Sequence, residues 1–255
     1  MKPLTLILLC TTFSFATLAQ PTKKVTVRSG SKYAPIDEKY YVLRSDGSTR
    51  QGAYELDWKN NPLIQGFYSN GKKDSLWESY SGYNHALLSR KWYTGGVKKG
   101  VWEFYDSKGQ QEFTYDFSSE KTTWLNKGSR FKPSDTATYF YSTSDGQWVR
   151  GAVDNPPMRL CSSGEWLGFL NRTLRYPDDA VNSMQQGEVV IAVTVEEDGR
   201  ASDYSVFKSS SAASLDKEAL RVLTAFDGDY IPAERQGKKV KSLVLQPIIF
   251  KLEAQ

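Results

Sequence analysis

Two textures of apolar and polar positions run along this chain, and they change near residue 155. Between Tyr33 and Trp148 the apolar positions are mostly aromatic. They alternate with polar ones over short runs broken by glycine-bearing turns, the pattern of antiparallel strands. From Glu165 the spacing lengthens: Trp166, Leu167, Phe169, Leu170 and Leu174 recur at helical intervals. Arg175-Tyr176-Pro177-Asp178-Asp179-Ala180 restarts a helix, with Pro177 suited to a first helical position and both aspartates complementing the positive end of the helix dipole. Met184 through Gly187 ends it. Val189, Ile191, Val193 and Val195 then alternate as a strand, Glu197-Asp198-Gly199-Arg200 turns, and a second strand runs from Ala201 to Lys208. Leu215, Ala219, Val222 and Phe226 form the stripe of a helix that Ser214 is expected to cap and Gly228 to stop. A last strand is expected from about Val240 to Leu252. The fold class is α+β: an N-terminal antiparallel β-meander, then a small helix–β–β–α–β unit with a three-stranded antiparallel sheet.

A repeat lies inside the first texture. Residues 66–80 align, 25 residues on, with residues 91–105, so that Tyr68/Tyr93, Gly71/Gly96, Lys73/Lys98, Trp77/Trp102, Glu78/Glu103 and Tyr80/Tyr105 coincide. An aromatic pair, Asn-Gly or Gly-Gly, lysines and then Trp-x-x-Tyr is a hairpin pattern. Weaker echoes surround Asp46-Gly47, Lys108-Gly109 and Asp145-Gly146. One hairpin cannot bury its own aromatic face, so such units stack into a continuing sheet. The stretch 40–117 resembles the MORN-type variant repeats of exported bacterial proteins and YwqK-like antitoxins, which implies a twisted antiparallel meander rather than any particular activity. Of the 34 aromatic residues, 24 lie between Tyr33 and Trp148. Cross-strand ladder pairs account for that density, and a stacking face for glycans or a partner is the alternative.

The N-terminus sets the compartment. Lys2, the apolar run Leu4 to Leu9 and the closing Ala16-Thr17-Leu18-Ala19 fit a secretory signal cleaved after Ala19, with small residues three and one before the cut. An uncleaved inner-membrane anchor facing the periplasm is the alternative. Expected domains are a signal peptide at 1–19, the meander at 33–152, a linker at 153–162 around Asp154-Asn155-Pro156-Pro157, and the C-terminal domain at 163–255.

Charge and chemistry narrow the function. Residues 1–159 carry 22 basic and 15 acidic side chains, and residues 160–255 carry 11 and 14. Neither half has a dense basic run with interleaved stacking aromatics, so no nucleic acid is expected as partner. One histidine (His85) and two cysteines (Cys10 and Cys161) leave no His/Cys-built metal, haem or iron–sulfur site within a chain. Gly95-Gly96 with Lys98-Lys99-Gly100 lacks phosphate-loop spacing, and no Gly-x-Ser-x-Gly elbow occurs. No catalytic residues, cofactor or metal are therefore expected.

Tyr176-Pro177…Ala180, Gly187-x-Val189-x-x-x-Val193-x-Val195, Asp198-Gly199, Leu215-Asp216-x-x-Ala219, Tyr230-x-Pro232-Ala233…Gly237-Lys238 and Pro247-Ile248-x-Phe250 occur in order. Together they resemble the TonB C-terminal domain of energy-transducer-like proteins of Bacteroidota, over roughly 165–253. Tyr230 departs from the Trp that many relatives carry before x-Pro-Ala. The resemblance implies a periplasmic binding protein that is not an enzyme. Its partner would be an outer-membrane TonB-dependent transporter or another envelope protein, whose extended peptide segment adds as a strand to a sheet edge. The matching edge is the last strand, with Arg175, Tyr176 and Pro177 beside it and Leu243, Val244, Leu245, Gln246, Ile248, Ile249 and Phe250 along it. Pro247 cannot donate to a ladder and so suits an edge. The alternatives are a membrane-anchored energy transducer, a glycan- or partner-binding platform on the meander, and self-association through edge strands. No proline-rich spacer separates the halves, so the meander occupies the place of one.

Overall fold

A computed structural model describes residues 20–32, 34–126 and 138–252. The expected signal peptide, 1–19, lies outside the described residues. Nine strands form the meander: β1 (Thr22–Ser31), β2 (Ala34–Leu43), β3 (Arg50–Trp58), β4 (Asn61–Ser69), β5 (Lys72–Tyr80), β6 (Leu87–Thr94), β7 (Val97–Tyr105), β8 (Gln111–Asp116) and β9 (Lys121–Leu125). Each pairs antiparallel with the next in sequence.

The repeat is physical as well as textual. Asn70 and Gly71 take positive φ in the β4–β5 turn, and Gly95 and Gly96 do so in the β6–β7 turn. In the first copy the Trp77 indole N–H donates to the Phe67 carbonyl at 3.1 Å; in the second, Trp102 donates to Trp92 at 3.0 Å. Tyr80 donates to Glu78 and Tyr105 to Glu103 in the same way. Gly66 faces the Trp77 ring so closely that a Cβ there would sit 2.2 Å from it. Along the inner face, the side packed on the rest of the chain, Tyr54, Trp77, Tyr93 and Trp102 touch in succession across strands, with ring centroids 5.2, 6.5 and 5.1 Å apart. Phe104 stacks on Phe113 at 4.3 Å. Trp102, Phe104 and Phe113 are fully buried, and Leu160 closes this cluster from outside the meander.

The remaining elements are β10 (Tyr139–Ser142), β11 (Trp148–Gly151), β12 (Met158–Arg159), α1 (Ser163–Thr173), α2 (Asp178–Asn182), β13 (Gly187–Val195), β14 (Ala201–Lys208), α3 (Ala213–Thr224), β15 (Tyr230–Ile231), β16 (Ala233–Arg235), β17 (Lys238–Val240) and β18 (Ser242–Phe250). The expected helix–β–β–α–β order is present. The expected three-stranded sheet has five strands instead, in the order β11-β10-β18-β13-β14. The hairpin β10–β11, placed by sequence with the meander, joins this sheet because Tyr141 pairs with Ser242. Residues 153–162, expected as a linker, are built in: β12 pairs with β15, Asn155 bridges to Glu234, and Leu160 and Cys161 are buried. Their apolar side chains complete a core, which a free spacer could not do.

The C-terminal core joins Val189, Ile191, Val193 and Val195 of β13 to Leu215, Ala219, Val222 and Leu223 of α3 and to Ile248 and Phe250 of β18. Helix α1 opens on a capping box: Glu165 N–H donates to Ser162 Oγ, and the Ser162 N–H donates to Glu165. The same carboxylate accepts from Ser79, Ser89 and Lys91, so one side chain starts the helix and fastens it to the meander. Burial works against charge on Glu165 and Lys91. Their attraction at 2.9 Å still holds the carboxyl below its ordinary range and the ammonium above its own. Two expectations about helix starts are corrected. Pro177 is the N-cap of α2 rather than its first residue, and α3 starts from Ala212 without a side-chain cap. The Ser214 hydroxyl is buried without a partner, while Asp216 accepts from the Ser210 amide in the turn before α3.

Candidate functional site: the outer edge of β18

β18 runs antiparallel to β13 over its whole length, from Ser242 opposite Val195 to Phe250 opposite Gly187. Its other side meets β10 at one register position, Tyr141 opposite Ser242. The Ser142 N–H donates to the Lys241 carbonyl at 2.7 Å beside that pair. In an antiparallel ladder this makes Tyr141–Ser242 a non-hydrogen-bonded pair, whose flanking residues carry the bonds. The backbone groups of Lys241 and Leu243 therefore face β10. Because direction alternates along a strand, those of Leu245, Pro247 and Ile249 face outward as well, while Val244, Gln246, Ile248 and Phe250 face β13.

This parity explains how the strand tolerates Pro247. The missing N–H falls on the outer side, so no bond to β13 is lost. It also sorts the sequence-predicted site residues. Ile248 and Phe250 put their side chains in the core and Val244 packs against it. Leu245 and Ile249 keep 37% and 68% of their surface exposed, and among the described residues no strand pairs with their outward backbone groups. Leu243 lies where β10 leaves the edge. Gln246 accepts from the Arg159 guanidinium and donates from Nε2 to the Pro247 carbonyl at 3.2 Å, so the middle of the edge has no donor and a covered acceptor.

The element at 175–177 divides. Tyr176 sits beside the end of β18, its ring 5.6 Å from Phe250 at 82°, and its hydroxyl donates to the Gln185 carbonyl. Arg175 is tied to α3 instead: its N–H donates to Glu218 at 2.7 Å. Pro177 caps α2 at the same end. Sequence reasoning missed three participants, Tyr141, Arg159 and Phe140. Phe140 lies 5.6 Å from Phe207 of β14, two strands beyond β18, so the start of the hairpin leans over the open face of the sheet. Pairings between such distant segments carry no local signal in the chain.

Other chemistry is sparse. Among the described residues no group of three or more His, Cys, Asp or Glu side chains could hold a metal. Burial pushes the Cys161 thiol up, so it stays protonated at neutral pH. His85 is an exposed loop residue with φ of 57°.

The domain so defined is a small α+β unit whose last strand has an edge that is only partly paired among the described residues. Residues 172–252 match the family model described as Gram-negative bacterial TonB protein C-terminal. The match takes in α2, β13, β14, α3 and β18 and leaves out the meander and the β10–β11 hairpin. Comparison with curated proteins found no match. The TonB C-terminal family is one of non-enzymatic energy-transducing and binding domains, which supports a TonB-like envelope role. Among the described residues no helix is long and apolar enough to cross a membrane.

Proposed function

We propose that this chain is a periplasmic, non-catalytic TonB-like binding protein. Its C-terminal domain takes an extended peptide segment of an outer-membrane transporter or another envelope protein against the outer edge of β18. The observation that supports the reading is the run from Leu245 to Ile249, which pairs with no strand on its outer side among the described residues and carries two exposed apolar side chains. Leu245 and Ile249 offer two donors and two acceptors. At about 1 kcal/mol net per bond they fall short of, or barely reach, an association cost of about 4–15 kcal/mol. The complex is therefore transient unless side chains add to it, and Leu245 and Ile249 are placed to do so. Pro247 and Gln246 divide the edge and guard it against indiscriminate pairing.

The test is a pull-down from an outer-membrane extract with the full chain and with Leu245→Pro. Proline at 245 removes one outward donor and leaves the inward ladder intact. Loss of captured transporters or envelope proteins with retained folding is the expected outcome; undiminished capture would sink the edge-docking reading.

A further inference from the structure

Arg50, Lys73, Lys91 and Lys98 lie over the aromatic rings that form the packed core of the meander. Arg50 covers Tyr40, Tyr54 and Tyr68, Lys91 covers Trp102 and Phe104, and Lys98 covers Phe117. Lys73 stands 4.9 Å above Trp77 and 5.5 Å from the Tyr93 ring centre. Three of the four have a carboxylate partner: Arg50 has Glu38 and Lys91 has Glu165, both at 2.9 Å, and Lys98 has Asp229. Among the described residues Lys73 has no carboxylate within ion-pair distance.

Lys73 and Lys98 are the same position of two successive repeat copies. Asp229 reaches Lys98 from the irregular stretch between α3 and β15. The second copy thus holds a peptide carboxylate on its repeat lysine, and the first copy holds the same lysine, exposed, above an aromatic floor. We propose that the Lys73 cradle is a docking site for an acidic side chain on an extended segment of a partner protein, with Trp77 and Tyr93 as its floor. Asp229 within this molecule is the template for that ligand.

The electrostatics of the hollow agree. Loss of water around the ammonium, and then repulsion from Lys91 and Lys98, holds Lys73 below the ordinary lysine value; Asp227 and Asp229 offset this in part. A cation held in that way gains from an incoming counter-charge. The cradle is independent of β18, so its failure in a test leaves the edge-docking reading untouched.

The experiment is a titration of the full chain, followed at the tryptophan indole N–H signals, with the heptapeptide Phe-Asp-Gly-Asp-Tyr-Ile-Pro, a copy of residues 226–232. A second peptide carries Asn for both Asp. The Trp77 indole signal is expected to shift saturably with the acidic peptide. The Asn peptide is expected to bind at least about tenfold more weakly, the loss typical of one charge-assisted hydrogen bond. Lys73→Gln should abolish the difference between the peptides and Lys73→Arg should keep it. Equal responses to the two peptides, an unchanged preference in Lys73→Gln, or a response confined to Trp102 would each overturn the proposal, the last because the peptide would then be replacing the chain's own loop.

Discussion

The meander and the C-terminal sheet solve the same problem in opposite ways. Every strand of the meander pairs with its neighbour in sequence, so register is set hairpin by hairpin and the aromatic rows line up by repetition. The C-terminal sheet places its last strand between β13 and β10, segments about 50 and 100 residues upstream. A local sheet advertises itself in the chain through turn residues and a period. A sheet assembled from distant segments hides which edge is open, and an open edge is what a binding reading needs.

The largest effects should come from the side chains that make the repeat a core. Trp102→Ala removes a fully buried ring and its bond to the Trp92 carbonyl. It is expected to cost about 3–5 kcal/mol in denaturant unfolding. Comparison with the same change at Trp77 would show whether the two copies contribute alike.

A charge at the junction comes next. Glu165→Gln leaves Lys91 buried without its counter-charge and weakens the cap of α1, at a cost of about 3–5 kcal/mol. The pair also sets a pH window. Glu165 titrates below the ordinary carboxylate range, so its contribution is present above about pH 4.3 and is lost as pH falls through the lowered folded-state value. Lys91 titrates above the ordinary lysine range, so its contribution is complete below about pH 10 and disappears as pH rises through the raised value. Unfolding followed against pH should therefore show an acid limb that Glu165→Gln flattens.

The parity of β18 supplies a sharper test. Val244→Pro removes a donor that faces β13 and is expected to cost about 3 kcal/mol or more, whereas Leu245→Pro removes one that faces outward and should cost much less. Equal losses in thermal unfolding would show the alternation to be wrong. Gly66→Ala drives a methyl group into the Trp77 ring and should cost about 1–3 kcal/mol. The smallest effect is at the cap: Ser162→Ala should lose about 1 kcal/mol while Glu165 still holds Lys91.

Much of this molecule was legible in the chain. Asn70-Gly71 and Gly95-Gly96 marked the hairpin turns because positive φ is strongly disfavoured for most other residues. The 25-residue offset between Trp77 and Trp102 announced equivalent environments, and the structure gives both indoles the same kind of acceptor. The alternation from Val189 to Val195 and the stripe from Leu215 to Val222 named the strand, the helix and the core they share.

Sequence alone therefore determined what most of the repeat strands and the C-terminal helices and strands would be, since turn stereochemistry and apolar period act over a few residues. Tertiary structure alone decided which segments would meet: Tyr141 against Ser242, Arg159 against Gln246, Glu165 against Lys91, and Asp229 against Lys98. Those outcomes depend on burial and charge shared between residues far apart in the chain, and no local pattern encodes a partner that only folding brings near.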